Sequence, residues 1–267
     1  MAYAATDGAK LYWEDGGEGE PLLLIQGLGF SCALWYRILP ALEARYRVIR
    51  YDARGIGRSD VPEEQWDIAT MAADAMAVLD TAGEQTAHVF GISLGGIVAQ
   101  EVAISHGDRV RSLTLCSTHP AGTQAQWPDE AVMDMLRNRT TLPREEAIRA
   151  SIPVGYAETT ERDWIEQDVQ LRLEIPTHEA GYMGQLMAGL GYPGTVPRLP
   201  QVTVPALVIH GDLDKMVPVA NATILADALP DARTVIVEGA GHVIFTDAPD
   251  AVTGAVLEFL DGVSPAR

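Results

Sequence analysis

Residues 87–97, Ala-His-Val-Phe-Gly-Ile-Ser-Leu-Gly-Gly-Ile, constrain this chain more than any other stretch. Apolar, partly β-branched residues run up to Gly91, Ser93 stands between Gly91 and Gly95, and a helical pattern follows. A serine so placed at a strand-to-helix turn is the Gly-x-Ser-x-Gly arrangement that lifts a nucleophile out of a sheet. Such a turn strains the backbone at the serine, and a Cβ two residues away on either side would collide across it. The helix starting at Leu94 aims its unpaired N–H groups at the serine, where they favour developing negative charge. Three fixed positions in five are weak by themselves. The pattern gains meaning only if the chain also supplies a base, an acid and a second oxyanion donor. A Gly-rich turn without chemistry is the plain alternative.

The surrounding chain reads as alternating strands and helices. Residues 2–14 form a hairpin pattern about Asp7-Gly8. Pro21-Leu22-Leu23-Leu24-Ile25 is a continuous apolar run, as expected of a strand buried on both faces of a parallel sheet. A helix pattern carries Leu34, Ile38, Leu39 and Leu42 on one face, and strand 47–52 and helix 67–82 follow. The serine strand and its helix, to about His106, precede strand 110–117. This rhythm predicts an α/β fold with a mostly parallel central sheet flanked by helices. Residues 119–199 break it with helical patterns rich in Met, Trp and Tyr and punctuated by prolines, and they read as an inserted helical cap. The expected division is a core of residues 1–118 and 200–267 and a cap, or lid, of residues 119–199. Strand 205–210, helix 219–229, strand 233–237 and helix 249–260 restore the rhythm, and Ser264–Arg267 reads as a frayed tail.

The chain of 267 residues is long enough for one large domain with a sizeable core. No signal-peptide pattern is seen, and no apolar run is long enough to span a bilayer. Two cysteines, Cys32 and Cys116, make a disulfide framework implausible. A cytoplasmic protein is the expectation. The net charge of −18 reads as a well-solvated surface and argues against nucleic acid, anionic membranes and polyanionic substrates. The expected partner is a small molecule, and the expected assembly a monomer or homodimer.

A serine hydroxyl needs a base, and the base an orienting carboxylate. Of six histidines, His88, His106 and His210 read as edge histidines or helix C-terminal cations. His119 and His178 fall at the start of the cap and within it. His242 follows a strand and the bend Gly239-Ala240-Gly241, at the sheet end where α/β ligand sites form. It is the candidate base. Asp212 directly follows a strand and serves to cap its turn. Asp214, further out, is the candidate acid, with a turn or N-cap aspartate as its plain reading. The order Ser93, Asp214, His242 is far more specific than any one of the three motifs. The oxyanion donors expected are the backbone N–H groups of Leu28 and Leu94, and Gly27 and Gly29 allow close approach of substrate. A dinucleotide reading of Gly27-x-Gly29 fails, because Cys32 stands where the third glycine belongs.

With these residues placed, the sequence resembles the α/β-hydrolase fold family, and within it the small lid-bearing esterases and lactonases, including enol-lactone hydrolases and polyketide methylesterases. The resemblance rests on Gln26-Gly27-Leu28-Gly29, on Asp52-Ala53-Arg54-Gly55-Ile56-Gly57-Arg58-Ser59, on Gly91–Gly96, on His210–Asp214 through Val217-Pro218, and on Gly239–His242. The family usually has His-Gly at the oxyanion turn, where Gln26 stands here. Arg54 reads as bracing its loop. The resemblance implies a serine hydrolase that cleaves an ester or lactone through an acyl-enzyme, without metal or organic cofactor. The Met- and aromatic-rich cap suggests an apolar, medium-sized substrate. Carbon–carbon bond hydrolysis, or acyl transfer and cyclisation, on the same three residues is the alternative, and a non-catalytic binding protein a third reading. A dehalogenase or epoxide hydrolase would carry an aspartate at position 93.

Overall fold

The apolar run at residues 21–25 becomes a strand with a neighbour on each side. The computed structural model describes residues 2–263, so the expected tail Ser264–Arg267 lies outside the described residues. Strands β1 (Ala2–Thr6), β2 (Ala9–Gly16), β3 (Glu20–Ile25), β4 (Tyr46–Tyr51), β5 (Ala87–Ile92), β6 (Val110–Cys116), β7 (Ala206–Gly211) and β8 (Ala232–Val237) make one eight-stranded sheet in the order β1-β2-β4-β3-β5-β6-β7-β8. The β1–β2 hairpin is antiparallel and joins β4 antiparallel. Every pairing from β4 to β8 is parallel. Parallel neighbours need long crossovers. Helices α1 (Leu39–Glu43), α2 (Ile68–Thr81), α3 (Leu94–Ser105), α9 (Ala220–Ala228), α10 (Ile244–Asp247) and α11 (Pro249–Gly262) lie in those crossovers and after β8.

Strand side chains alternate between faces, so one strand feeds two cores. Leu23 and Ile25 join Met71, Val78, Ile97 and Val98 of α2 and α3 on one face. Leu22 and Leu24 join Trp35, Leu42, Val256 and Leu260 on the other. This double burial explains the unbroken apolar sequence of β3. Residues 119–199 hold α4 (Glu130–Asn138), α5 (Arg144–Ala150), α6 (Ile152–Gly155), α7 (Arg162–Glu174) and α8 (Glu179–Leu190), and no strand beyond a single bridge from Thr177 to Ile56. No helix among the described residues is long and apolar enough to cross a membrane.

Two local expectations need correction. The face Leu34, Ile38, Leu39, Leu42 predicts one helix, but the chain makes a 3₁₀ turn at Cys32–Trp35 and then α1. Pro40 is the reason: it has no N–H to donate to Tyr36, and its ring would clash with that carbonyl. His88 is no edge residue. It lies in β5, between β3 and β6, with its Nδ1 2.8 Å from Ser112 Oγ.

Two buried aspartates, each paired with an arginine, fix loops at the end of β4. Arg54 makes a two-pronged pair with Asp74, both N···O distances being 2.6 Å, and so braces its loop against α2. Asp52 accepts hydrogen bonds from Ser31 Oγ at 2.6 Å, from the Cys32 N–H at 2.8 Å and from Arg58 Nε at 2.8 Å. Burial alone would raise its pKa, yet the bonds from Arg58 and Ser31 hold it below the usual range. A carboxylate anchored this way ties the segment after Gly29 to the end of β4.

Candidate active site

The end of β5 turns sharply into α3, and Ser93 sits at the corner with φ 55° and ψ −123°. A non-glycine residue held there costs about 1–3 kcal/mol. The surroundings hold it in place. The Ser93 N–H donates to Cys116 O at 2.9 Å, and Thr118 Oγ1 donates to Ser93 O at 2.6 Å. The flanking glycines are steric necessities. A Cβ on Gly95 would strike the carbonyl oxygen of Ile25, and one on Gly91 the carbonyl oxygen of Gly95.

The β7 and β8 ends open on the same rim as β5, because parallel strands share a C-terminal edge. After β7 the chain carries Asp214, and after β8 it carries His242. The two loops clasp one another through Leu213 N–H to Ala240 O at 2.9 Å. His242 Nε2 lies 3.0 Å from Ser93 Oγ, and His242 Nδ1 lies 2.8 Å from Asp214 Oδ2. A carboxylate only accepts, so Nδ1 carries the proton and Nε2 is free to accept from the serine hydroxyl. Asp214 Oδ1 accepts from the N–H groups of Met216 at 2.9 Å and Val217 at 2.7 Å. Burial alone would raise the Asp214 pKa. The neighbouring His242 and His210 outweigh it and hold the carboxyl at about 2.

The Leu28 and Leu94 N–H groups belong to the turn after β3 and the first turn of α3. Neither donates to another group among the described residues. Gly27 lines the cavity beside Ser93, and a Cβ there would stand 3.1 Å from Ser93 Cβ. Its own N–H is taken by Gln26 Oε1 at 2.8 Å, which shows what the glutamine does at this turn. Gly29 departs from the substrate-side expectation. It does not line the cavity; it has φ +73° and donates its N–H to Gln185 Oε1 at 3.0 Å. A Cβ there would stand 2.8 Å from Tyr182 Cδ2, so the missing side chain lets α8 pack close to this turn. Asp212 does not cap its own turn as expected; it accepts from the Gly239 N–H at 2.7 Å and so ties its loop to the one after β8.

Two histidines gain a meaning that sequence reasoning missed. His210, fully buried, lies with Nε2 2.8 Å from Val217 O and 3.3 Å from Asp214 Oδ2. Its i to i+4 spacing from Asp214 was the available signal. His119 follows β6 and reaches the cavity wall, edge-on to Trp127. Its Nδ1 accepts from the Ala121 N–H at 3.0 Å. Burial, reinforced by His242 and His210, pushes its pKa down to about 4. A histidine with a depressed pKa binds fewer protons folded than unfolded. The stability it contributes is therefore full above about 6.5 and lost as pH falls toward 4. The melting temperature of the wild-type protein should fall over that window, and His119→Gln should flatten the fall. Melting curves at pH 4, 5, 6 and 7 check this; parallel wild-type and variant profiles would refute it.

The cavity above Ser93 is walled mainly by apolar side chains of residues 119–199, among them Met133, Leu136, Leu186 and Leu190, and by Phe30 and Phe245. A mostly parallel sheet with this serine corner and apolar cavity defines the class: a serine hydrolase of the esterase and lactonase type. The chain belongs to the alpha/beta hydrolase fold family, whose model matches residues 20–249. It is 32% identical to a proposed carbamate hydrolase, RutD, of Azorhizobium caulinodans, over 97% of this chain and 98% of the relative. It is also 32% identical to the pimeloyl-[acyl-carrier protein] methyl ester esterase of Aeromonas hydrophila, over 91% and 96%. Among solved structures it is similar to the enol-lactonase of Burkholderia xenovorans LB400, with a TM-score of 0.85, 28% identity, and coverage of 97% and 100%.

Proposed function

We propose that the protein cleaves a carboxylic ester or lactone of a medium-sized, largely apolar substrate through Ser93, His242 and Asp214. The observation that carries this reading is the unbroken hydrogen-bonded run Ser93–His242–Asp214, at 3.0 and 2.8 Å, opening into an apolar cavity. His242 Nε2 takes the Ser93 proton as Oγ attacks the carbonyl carbon. The N–H groups of Leu28 and Leu94 receive the resulting oxyanion. His242 then passes its proton to the departing alcohol, leaving an acyl-enzyme. In a lactone that alcohol stays tethered to the acyl group. Water, activated by His242, attacks the acyl carbon and frees the serine. Asp214 holds the imidazole in the required tautomer and stabilises its cation throughout. Residues 119–199 act as the lid over this site. The names of the esterase and enol-lactonase relatives agree with an oxygen-ester substrate. Cys32 and Cys116, both free and buried, fit a cytoplasmic setting.

The test is a panel of esters, thioesters and lactones with product analysis, run beside covalent labelling by a fluorophosphonate. The expected result is one carboxylic acid and one alcohol per turnover, a hydroxy acid from a lactone, and labelling at Ser93. Products of carbon–carbon cleavage, or an unlabelled serine with no turnover, would overturn the proposal.

A further inference from the structure

The cavity above Ser93 has a mainly apolar wall that also carries one carboxylate, Asp168, and two guanidinium groups, Arg172 and Arg139, which make no ion pair among the described residues. Arg172 on α7 is only 6% exposed and lines the cavity. Among the described residues no carboxylate lies within 4 Å of it, and its one side-chain hydrogen bond is a long one, 3.5 Å to Ser151 Oγ. Asp168, one turn earlier on the same helix and lining the same cavity, is already engaged. It accepts from Tyr36 at 2.6 Å, Thr246 at 2.5 Å and Tyr156 at 3.1 Å, and pairs with Arg37 at 3.6 Å. Arg139, after α4 and half-buried, lines the same cavity and makes no ion pair among the described residues. Burial, with Arg139 adding to it and Tyr156 and Asp168 opposing it, pushes the Arg172 pKa down to about 10. Both groups rest on aromatic faces beside the oxyanion turn. Arg172 lies 4.4 Å from the Phe30 ring centroid and Arg139 lies 4.7 Å from that of Tyr182. Stacking on a ring face does not replace the hydrogen-bonded counter-ion that a buried charge needs. An anion entering the cavity beside them would supply the missing partner.

We propose that Arg172 and Arg139 form a carboxylate-binding subsite, so that the substrate cleaved at Ser93 is an ester or lactone with an apolar body and one free carboxylate. The subsite rests on the hydrolase reading of Ser93 and narrows its substrate class. Planar guanidinium groups suit a carboxylate, which they can grip with paired N–H donors. The molecule as a whole, at −18, repels anions at long range, so the attraction is local to this wall.

Monomethyl glutarate, adipate and pimelate, each compared with the neutral dimethyl ester of the same acid, provide the test. At the best chain length the half-ester should have the higher kcat/KM, by about tenfold or more, chiefly through KM. In Arg172→Met and Arg139→Met the ratio of half-ester to diester should fall about tenfold, with Arg172→Lys between them and wild type. The ratio is taken within one preparation, so lost folded protein cancels. As a second readout, free adipate or pimelate should raise the melting temperature of wild type more than that of either Met variant. A wild-type preference for the diester at every length, or a ratio unchanged in both variants, overturns the subsite. Failure of the hydrolase reading looks different: neither ester is turned over and Ser93 stays unlabelled, while the melting shift still reports the subsite.

Discussion

Ser93→Ala should lower kcat on a neutral p-nitrophenyl ester by about a million-fold, with folding intact. The bonds that hold the turn run to the Ser93 backbone, N–H to Cys116 and carbonyl from Thr118, so alanine keeps them. Only the hydroxyl 3.0 Å from His242 is lost. His242→Ala should cost about as much, and the double variant little more, because residues acting as one unit do not add. Ser93→Gly separates chemistry from stability. Glycine occupies φ 55° without penalty, so unfolding by urea should show it about 1 kcal/mol more stable than wild type while equally inactive. Wild-type turnover by Ser93→Ala would remove Ser93 from the reaction altogether.

The turn at Ser93 was legible because its constraints are local. Gly91 and Gly95 stand where backbone meets backbone, and only their missing side chains allow it. The strand sequence was legible for a related reason: Leu22–Ile25 has no polar face because both faces of β3 are covered. His242 and Asp214 could be nominated from their loops alone, since parallel strands must present those loops on one rim. Side chains whose partners lie far off in sequence were not legible. His119 gains its electrostatic environment from His210 on β7 and His242 after β8, and nothing in the residues around 119 announces either. Asp168, one turn from Arg172 on the same helix, is occupied by Tyr36, Tyr156 and Thr246, which arrive from three other segments that the helix sequence does not announce. The apolar spacing of Leu34, Ile38, Leu39 and Leu42 points to one helix, whereas Pro40 between them splits it into a 3₁₀ turn and α1.

Asp214→Asn should reduce kcat by about ten-thousand-fold with little change in KM, and the geometry says why. One oxygen of Asp214 takes two backbone N–H groups, from Met216 and Val217. An asparagine must give its carbonyl oxygen to those donors, since its amide nitrogen cannot accept them. The amide then points N–H at His242 Nδ1, which has to accept instead of donate. The imidazole proton moves to Nε2, the atom that should take the proton of Ser93, and general-base catalysis stops without any side chain being removed. The same rotation turns the amide toward His210, whose Nε2 is 3.3 Å from the carboxylate oxygen it replaces. Two donors then face each other in a buried space, so the variant should also melt at a lower temperature than wild type. Steady-state kinetics on a neutral ester, with melting curves on the same preparations, measure both effects. A kcat within tenfold of wild type would mean that His242 does not depend on Asp214 for its tautomer, and the carboxylate would then be a loop anchor for Met216 and Val217 alone.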